Sequence, residues 1–265
     1  MAEPGGPTTQ SGIYYQNTIA ARSLIDLLDL RRLPPRERVV DVRVEAPDDV
    51  DDIVVRYADG HREWIQAKTR VQRSGRAWNH MWNALADQIA RPEFGGEDSV
   101  VLVLGEVDET AQAIRDLAER AAAAANAAEW AGRLGDLHRK VLLAVERALA
   151  GRADALELFR RTTVELAPLE EVERAFERRR LGTAFALPSG FLSVLRDIAG
   201  DGARRRATFL AAPLRTRLAI EYGVEVAEPA EWGLSAYQDR QRWHNYLSRL
   251  AAEPGLVVTD AESEG

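Results

Sequence analysis

The hydrophobic pattern changes period several times along the first 110 residues, and each change predicts an element. Ile13, Ile19, Ala20, Leu24, Leu27 and Leu28 recur at helical spacing, so residues 13–30 read as a helix that Pro34-Pro35 brings to a stop. Residues 39–44 alternate apolar and charged side chains, the mark of a strand exposed on one face. A second apolar run, Ile53-Val54-Val55, leads into the turn Ala58-Asp59-Gly60-His61 and then Trp64-Ile65-Gln66-Ala67-Lys68, which together read as a β-hairpin. The basic loop RVQRSGR follows. Over residues 76–90, Trp78, Met81, Trp82, Leu85 and Ile89 then form one stripe of an amphipathic helix, with the tryptophans as core anchors. SVVLVLGEV, at 99–107, is continuously apolar, as expected of a strand covered on both sides.

The order helix, three strands, helix, strand predicts a mixed α/β fold. From about residue 110 the chain becomes alanine-rich and helical in character, with one short strand expected at 163–166 and a helix at 169–180. Three further helices are expected after Pro188, in FLSVLRDIAG, RRRATFLAAPLRTRLAIEYG and AYQDRQRWHNYLSRLAAE. The organisation expected is a flexible lead-in at 1–11, an α/β core at 12–125, a mainly helical region at 126–255 that serves as connector, oligomerisation or partner surface, and a tail at 256–265 that reads as a linker.

The hairpin carries the candidate chemistry. Side chains alternate across a strand, so Trp64, Gln66 and Lys68 leave one face while Ile65 and Ala67 leave the other. A carboxylate at the start of one strand and a Gln-x-Lys on its neighbour can therefore meet at one point. Carboxylate and amide oxygens are hard ligands suited to Mg²⁺, and the ammonium suits a phosphate or an attacking water. Charge order points the same way. Glu45, Asp48, Asp49, Asp51, Asp52 and Asp59 face only Arg56 in their stretch, whereas Arg62, Lys68, Arg70, Arg73 and Arg76 face only Glu63 in theirs. An acidic pocket beside a basic strip fits a metal and a polyanion.

Composition narrows the setting. With 42 acidic and 35 basic residues the net charge is −7, so contact with nucleic acid has to come from a local patch. There are no cysteines, which removes disulfides and thiolate metal sites and agrees with a reducing compartment. His61, His80, His138 and His244 lack zinc-site spacing. No apolar run reaches the roughly 20 residues needed to span a bilayer, and the opening residues lack the basic start and apolar core of a signal peptide, so a cytoplasmic protein with no membrane partner is expected. The basic runs Arg178-Arg179-Arg180 and Arg204-Arg205-Arg206 read as solvated helix faces or ends.

Taken in order, the helix with Tyr15-Gln16, the strand ending in Glu45, Asp51-Asp52-Ile53, Ile65-Gln66-Ala67-Lys68 and the tryptophan-bearing helix resemble the PD-(D/E)xK nuclease superfamily. The closest resemblance is to the double-stranded-DNA endonuclease effector domains of bacterial antiphage systems, of the CBASS and STAND NTPase types. It covers residues 12 to about 107, with a weaker likeness to about 220. It implies a restriction-endonuclease-like core and a Mg²⁺- or Mn²⁺-dependent DNA endonuclease of little sequence specificity. Carried over by residue, Asp52 is the main metal ligand, with Glu45 and Asp51 as supporting or alternative ligands; on a regular strand only one of the two adjacent aspartates can reach the ion directly. Gln66 adds its side-chain oxygen to the same ion, Lys68 orients the attacking water, and Gln16 stands behind the ligands. Arg70, Arg73 and Arg76 hold the DNA backbone. The chain departs from the usual pattern in carrying Gln66 where Glu or Asp is commoner, and a neutral ligand binds Mg²⁺ less strongly. The resemblance also implies an NTPase or sensor module in cis or in trans and a homo-oligomer when active. No P-loop occurs in these 265 residues. The rival expectation is a non-catalytic adaptor on the same fold.

Overall fold

The structure is a computed structural model that describes residues 6–226 apart from 30–32, 47, 51, 179, 182–184 and 187–189. The described residues belong to one compact unit that runs to Val226. The helix expected within 236–253, the tail at 256–265, Asp51 and part of the Arg178-Arg179-Arg180 run lie outside the described residues.

The chain begins with α1 (Gly6–Leu28), β1 (Val39–Val44), β2 (Ile53–Tyr57), β3 (Arg62–Lys68), α2 (Arg76–Ile89) and β4 (Ser99–Leu104). This is the expected order, with α1 starting at Gly6 inside the stretch read as lead-in. Next come α3 (Glu109–Ala123), α4 (Ala127–Gly132), α5 (Asp136–Leu149), α6 (Ala155–Arg160), β5 (Thr162–Leu166) and α7 (Leu169–Arg178). A short pair β6 (Arg180–Leu181) and β7 (Phe185–Ala186), then α8 (Phe191–Arg205), β8 (Thr208–Phe209) and α9 (Ala211–Tyr222), complete the described residues. The single helix expected over RRRATFLAAPLRTRLAIEYG is thus broken. Arg206 turns left-handed at φ 52° and closes α8, β8 intervenes, and α9 restarts at Ala211.

Local chemistry sets the boundaries. Asp108, Asn126 and Asp154 each accept a hydrogen bond from a backbone N–H in the first turn of the helix that follows, satisfying donors the helix cannot use itself. In the hairpin turn Gly60 takes φ 96°, which a side chain would resist.

A six-stranded mixed sheet runs in the order β5-β4-β3-β2-β1-β8. β1, β2 and β3 pair antiparallel, while β3, β4 and β5 pair parallel. Both border strands, β5 and β8, come from the region read as a separate helical half. Alternation sorts the side chains into two layers. Trp64, Val100, Leu102, Leu104 and Val164 face a core shared with Trp78, Met81, Trp82, Ile114, Leu117, Val145 and Phe159 of α2, α3, α5 and α6. Ile53, Val55, Ile65, Ala67, Val101 and Val103 face the second core, shared with Ile19, Leu24, Phe176, Phe191, Leu195 and Leu218 of α1, α7, α8 and α9. Trp78 and Trp82 are both buried, as core anchors should be. Among the described residues no helix is long and apolar enough to cross a membrane.

Candidate functional site

Antiparallel pairing of β1, β2 and β3 brings three chain ends to one border of the sheet: the end of β1, the start of β2 and the end of β3. Ile53 stands opposite Ile65, so one more step along the register sets Asp52 across from Gln66. Directly opposed residues on neighbouring strands have Cβ atoms about 5 Å apart, within reach of a hydrogen bond between side chains.

That bond is present. Gln66 Nε2 donates to Asp52 Oδ2 at 2.6 Å, and the Ala67 backbone N–H donates to the same oxygen at 2.8 Å. The Asp52 carboxylate, one residue before the start of β2, thus bonds both the side chain and the backbone of β3. Lys68 Nζ lies 3.6 Å from Oδ2, with its side chain 36% exposed. From α1, Gln16 Nε2 donates to Asp52 Oδ1 at 2.7 Å. Asp52 and Gln66 are only 7% and 3% exposed, so this is a desolvated carboxylate ringed by donors, with one ammonium at its rim. Inside a protein such charge-assisted bonds are stronger than their aqueous counterparts.

Glu45 sits just past β1 with φ 49°, a left-handed backbone that costs a non-glycine residue about 1 kcal/mol. Its N–H donates to the Asp52 carbonyl at 3.1 Å, which closes the loop from 45 to 52 at its neck and holds the two acids side by side. Its side chain is partly buried.

Three other acids of that stretch, Asp48, Asp49 and Asp59, are engaged elsewhere. Asp49 accepts from Arg91 Nε at 2.7 Å, and Asp48 accepts from Arg91 at 3.0 Å and from Trp64 Nε1 at 3.2 Å. Asp59 is held by His61, whose Nδ1 lies 2.5 Å away; partial desolvation pushes its carboxyl up, and the bonds from His61 bring it below the ordinary aspartate value. The acidic stretch thus divides between the site and the scaffold. On the basic strip, Arg70 Nε pairs with Glu106 at 3.3 Å, and Arg70 and Arg73 on the β3–α2 loop and Arg76 at the start of α2 are all exposed, following the strand end that carries Lys68. Arg204 and Arg205, both largely exposed, converge with Arg217 on Asp201.

The chain's similarity to known proteins is slight. No family model matches, and no curated protein matches. Among solved structures it is similar to the Acinetobacter baumannii Cap4 SAVED/CARF-domain containing receptor. With the cyclic trinucleotide 3'3'3'-cAAA the TM-score is 0.43 at 12% identity, covering 79% of this chain and 45% of that one. For the receptor alone the TM-score is 0.41 at 13% identity, covering 79% and 47%. With 2'3'3'-cAAA it is 0.41 at 14% identity, covering 92% and 48%. The chain thus spans about half the length of the structures it matches. A likeness this distant assigns neither fold nor ligand to it.

Among the described residues no three His, Cys, Asp or Glu side chains gather into a metal-holding group. The donors at the site are of a different mix: the Asp52 carboxylate, the Gln66 amide oxygen and Glu45. All are oxygens, which suits a hard divalent cation. A carboxylate offers about four lone-pair directions. Gln16, Gln66 and Ala67 fill three of those on Asp52, leaving room for one more partner on Oδ1. The residues present therefore fit Mg²⁺ or Mn²⁺, with Gln66 keeping its NH₂ on Asp52 and offering its oxygen. One part of the arrangement has no signal in the local sequence: Gln88 and Arg91, some 40 residues downstream, hold the loop that delivers Asp52.

Proposed function

We propose that this chain is a Mg²⁺-dependent endonuclease of double-stranded DNA, built on a restriction-endonuclease-like core and acting as an effector in antiphage defence. The observation that carries the reading is the convergence of Gln16, Asp52, Gln66 and Lys68 at one sheet border, in the order and on the elements the superfamily resemblance calls for. The defence setting rests on that resemblance alone.

Asp52 and the Gln66 oxygen, with Glu45 beside them, would hold the ion. An ion held there by these residues would supply polarisation of the scissile phosphate and acidification of a water, which a phosphodiester needs because its own charge repels hydroxide. Lys68 is the exposed cation of the group, placed to orient the attacking water and to neutralise charge on the phosphate. Gln16 fixes Asp52 through Oδ1 and so keeps Oδ2 turned toward Gln66 and Lys68. Arg70, Arg73 and Arg76 line the approach and grip the DNA backbone without reading sequence.

The test is plasmid degradation in Mg²⁺ by wild type, Asp52→Asn and Lys68→Ala, each checked for an unchanged melting temperature. At least about a 100-fold loss of cleavage is expected for either variant. Equal nicking by wild type and Lys68→Ala would remove Lys68 from the mechanism. The second reading, a nuclease-like adaptor without catalysis, is favoured by one observation: two neutral amides and a backbone N–H already satisfy the Asp52 carboxylate. Calorimetric titration with Mn²⁺ separates the two, since an adaptor gives no heat that depends on Asp52.

A further inference from the structure

We infer that Gln88 and Arg91, at the C-terminal end of α2, are positioning residues that set where Asp52 stands relative to Gln66 and Lys68; this inference rests on the proposed role of Asp52 as a metal ligand.

Gln88 is completely buried. Its Oε1 accepts from the backbone N–H of Asp49 at 3.2 Å and of Val50 at 3.4 Å. Among the described residues its Nε2 has no hydrogen-bond partner. Leaving such a buried donor unmade is destabilising, and an apolar residue of the same shape would avoid the penalty. Stability alone therefore does not explain a glutamine here, whereas a requirement for the two loop N–H bonds does.

Arg91, one turn further on, forks across the same loop, with Nε on Asp49 at 2.7 Å and its terminal nitrogen on Asp48 at 3.0 Å. Trp64 Nε1 adds a bond to the other oxygen of Asp48 at 3.2 Å, and Val50 is fully buried in the core beside α2. Residues 48–50 are thus pinned along their backbone and by both carboxylates. Asp52 follows two residues later, and the bond from Glu45 N–H to the Asp52 carbonyl closes the loop. Any displacement of the pinned segment is passed to Glu45 and Asp52 together, because the loop has one neck and both acids stand at it.

The structure also supplies a readout that is independent of cleavage. The Ala67 amide donates to the Asp52 carboxylate, so its hydrogen exchange reports where that carboxylate is. The experiment measures two quantities in the full chain of wild type, Gln88→Leu, Arg91→Ala and the conservative Gln88→Glu: exchange at Ala67 without metal, and the Mg²⁺ midpoint of plasmid cleavage. For Gln88→Leu and Arg91→Ala the expected result is a Mg²⁺ midpoint raised about 10-fold or more, with the rate at saturating Mg²⁺ near wild type, together with faster exchange at Ala67. Gln88→Glu, which keeps an acceptor for the Asp49 and Val50 N–H groups, is expected to stay nearer wild type in both.

Variants that melt earlier yet keep the wild-type Mg²⁺ midpoint and the wild-type Ala67 exchange would overturn the inference and leave Gln88 and Arg91 as packing. Should the wild type show no Mg²⁺-dependent cleavage, the nuclease reading falls, and Ala67 exchange by itself still decides whether α2 positions Asp52. Arg91 is partly exposed, so its variant carries the test if Gln88→Leu does not fold.

Discussion

At position 66 an amide stands where a second carboxylate is commoner in the family the sequence resembles, and its effect on Asp52 is direct. Gln66 donates to Asp52 Oδ2 at 2.6 Å with both residues buried. A glutamate there has no N–H to give. Without an ion it sets two carboxylates against each other, which raises one pKa or opens the site. With an ion it is the stronger ligand. Gln66→Glu is therefore expected to cost about 1–3 kcal/mol in the absence of metal, a fall of several degrees in melting temperature for a chain of this size, and Mg²⁺ is expected to recover most of it. Thermal scanning with EDTA and then with Mg²⁺ reads both numbers. This pair was legible in the sequence, because period-two alternation and a tight turn place Asp52 and Gln66 opposite each other. The division of the acids was not legible. Asp48 and Asp49 look like members of the same pocket, and only their bonds to Arg91, more than 40 residues away, show that they belong to the scaffold.

Among the elements, α1 and the β3–α2 loop do different work around the site. Four successive residues of α1 reach four different places. The Tyr14 hydroxyl meets Glu173 of α7, the Tyr15 hydroxyl donates to the Ala167 carbonyl past β5, Gln16 holds Asp52, and Asn17 lies against Gly200 of α8. A helical pattern shows that such a helix exists but not which neighbours its faces find. Burial pushes the Tyr15 hydroxyl well above the ordinary tyrosine value of 10.0; Arg22 offsets this in part and Glu165 adds to it. The sign follows: with its folded value raised, Tyr15 contributes stability in full below pH 10, the unfolded value, and loses it as pH rises from there toward the folded one. Denaturant melts between pH 8 and 11 are expected to show declining stability, with a shallower decline in Tyr15→Phe, which also gives up about 1 kcal/mol at neutral pH with the Ala167 bond. An identical slope in both proteins would contradict this. On the β3–α2 loop and at the start of α2 the expectation is electrostatic. Arg73→Ala and Arg76→Ala should each lower the slope of log affinity for duplex DNA against log salt by about 1 and weaken all sequences alike, as measured by fluorescence anisotropy.

For the whole molecule, the sheet matters more than the boundary that composition suggests near residue 125. The shift to alanine-rich helices looks like a change of domain, yet β5 and β8, at opposite borders of the sheet, both come after it. β8 is two residues long and sits where a helix was expected, so hydrophobic period could not reveal it. Its place is set by packing. Gly202 of α8 lies so close to the Phe209 ring and to Val44 that a Cβ would stand 2.4 Å from the ring, and this close approach locks α8, β8 and β1 together. A fragment of residues 1–125 would leave both sheet borders unpaired and strip most of the partners from α1. It is expected to be insoluble or to lack a cooperative melt, and a fragment that melts sharply would show that the first half folds without the second.

The same arrangement acts on the timing of synthesis. Both margins of the sheet are supplied by residues beyond 160, and so are the helices α7, α8 and α9 that brace α1. At ordinary rates of synthesis, about 5–20 residues per second, the interval between Lys68 and Phe209 leaving the ribosome is on the order of ten seconds. Throughout that interval Gln16 rides on a helix that has β1 and β3 to lean against but not yet all of α7, α8 and α9. The bracing around Asp52 is therefore complete only once translation is well past Lys68, the last residue of its cluster.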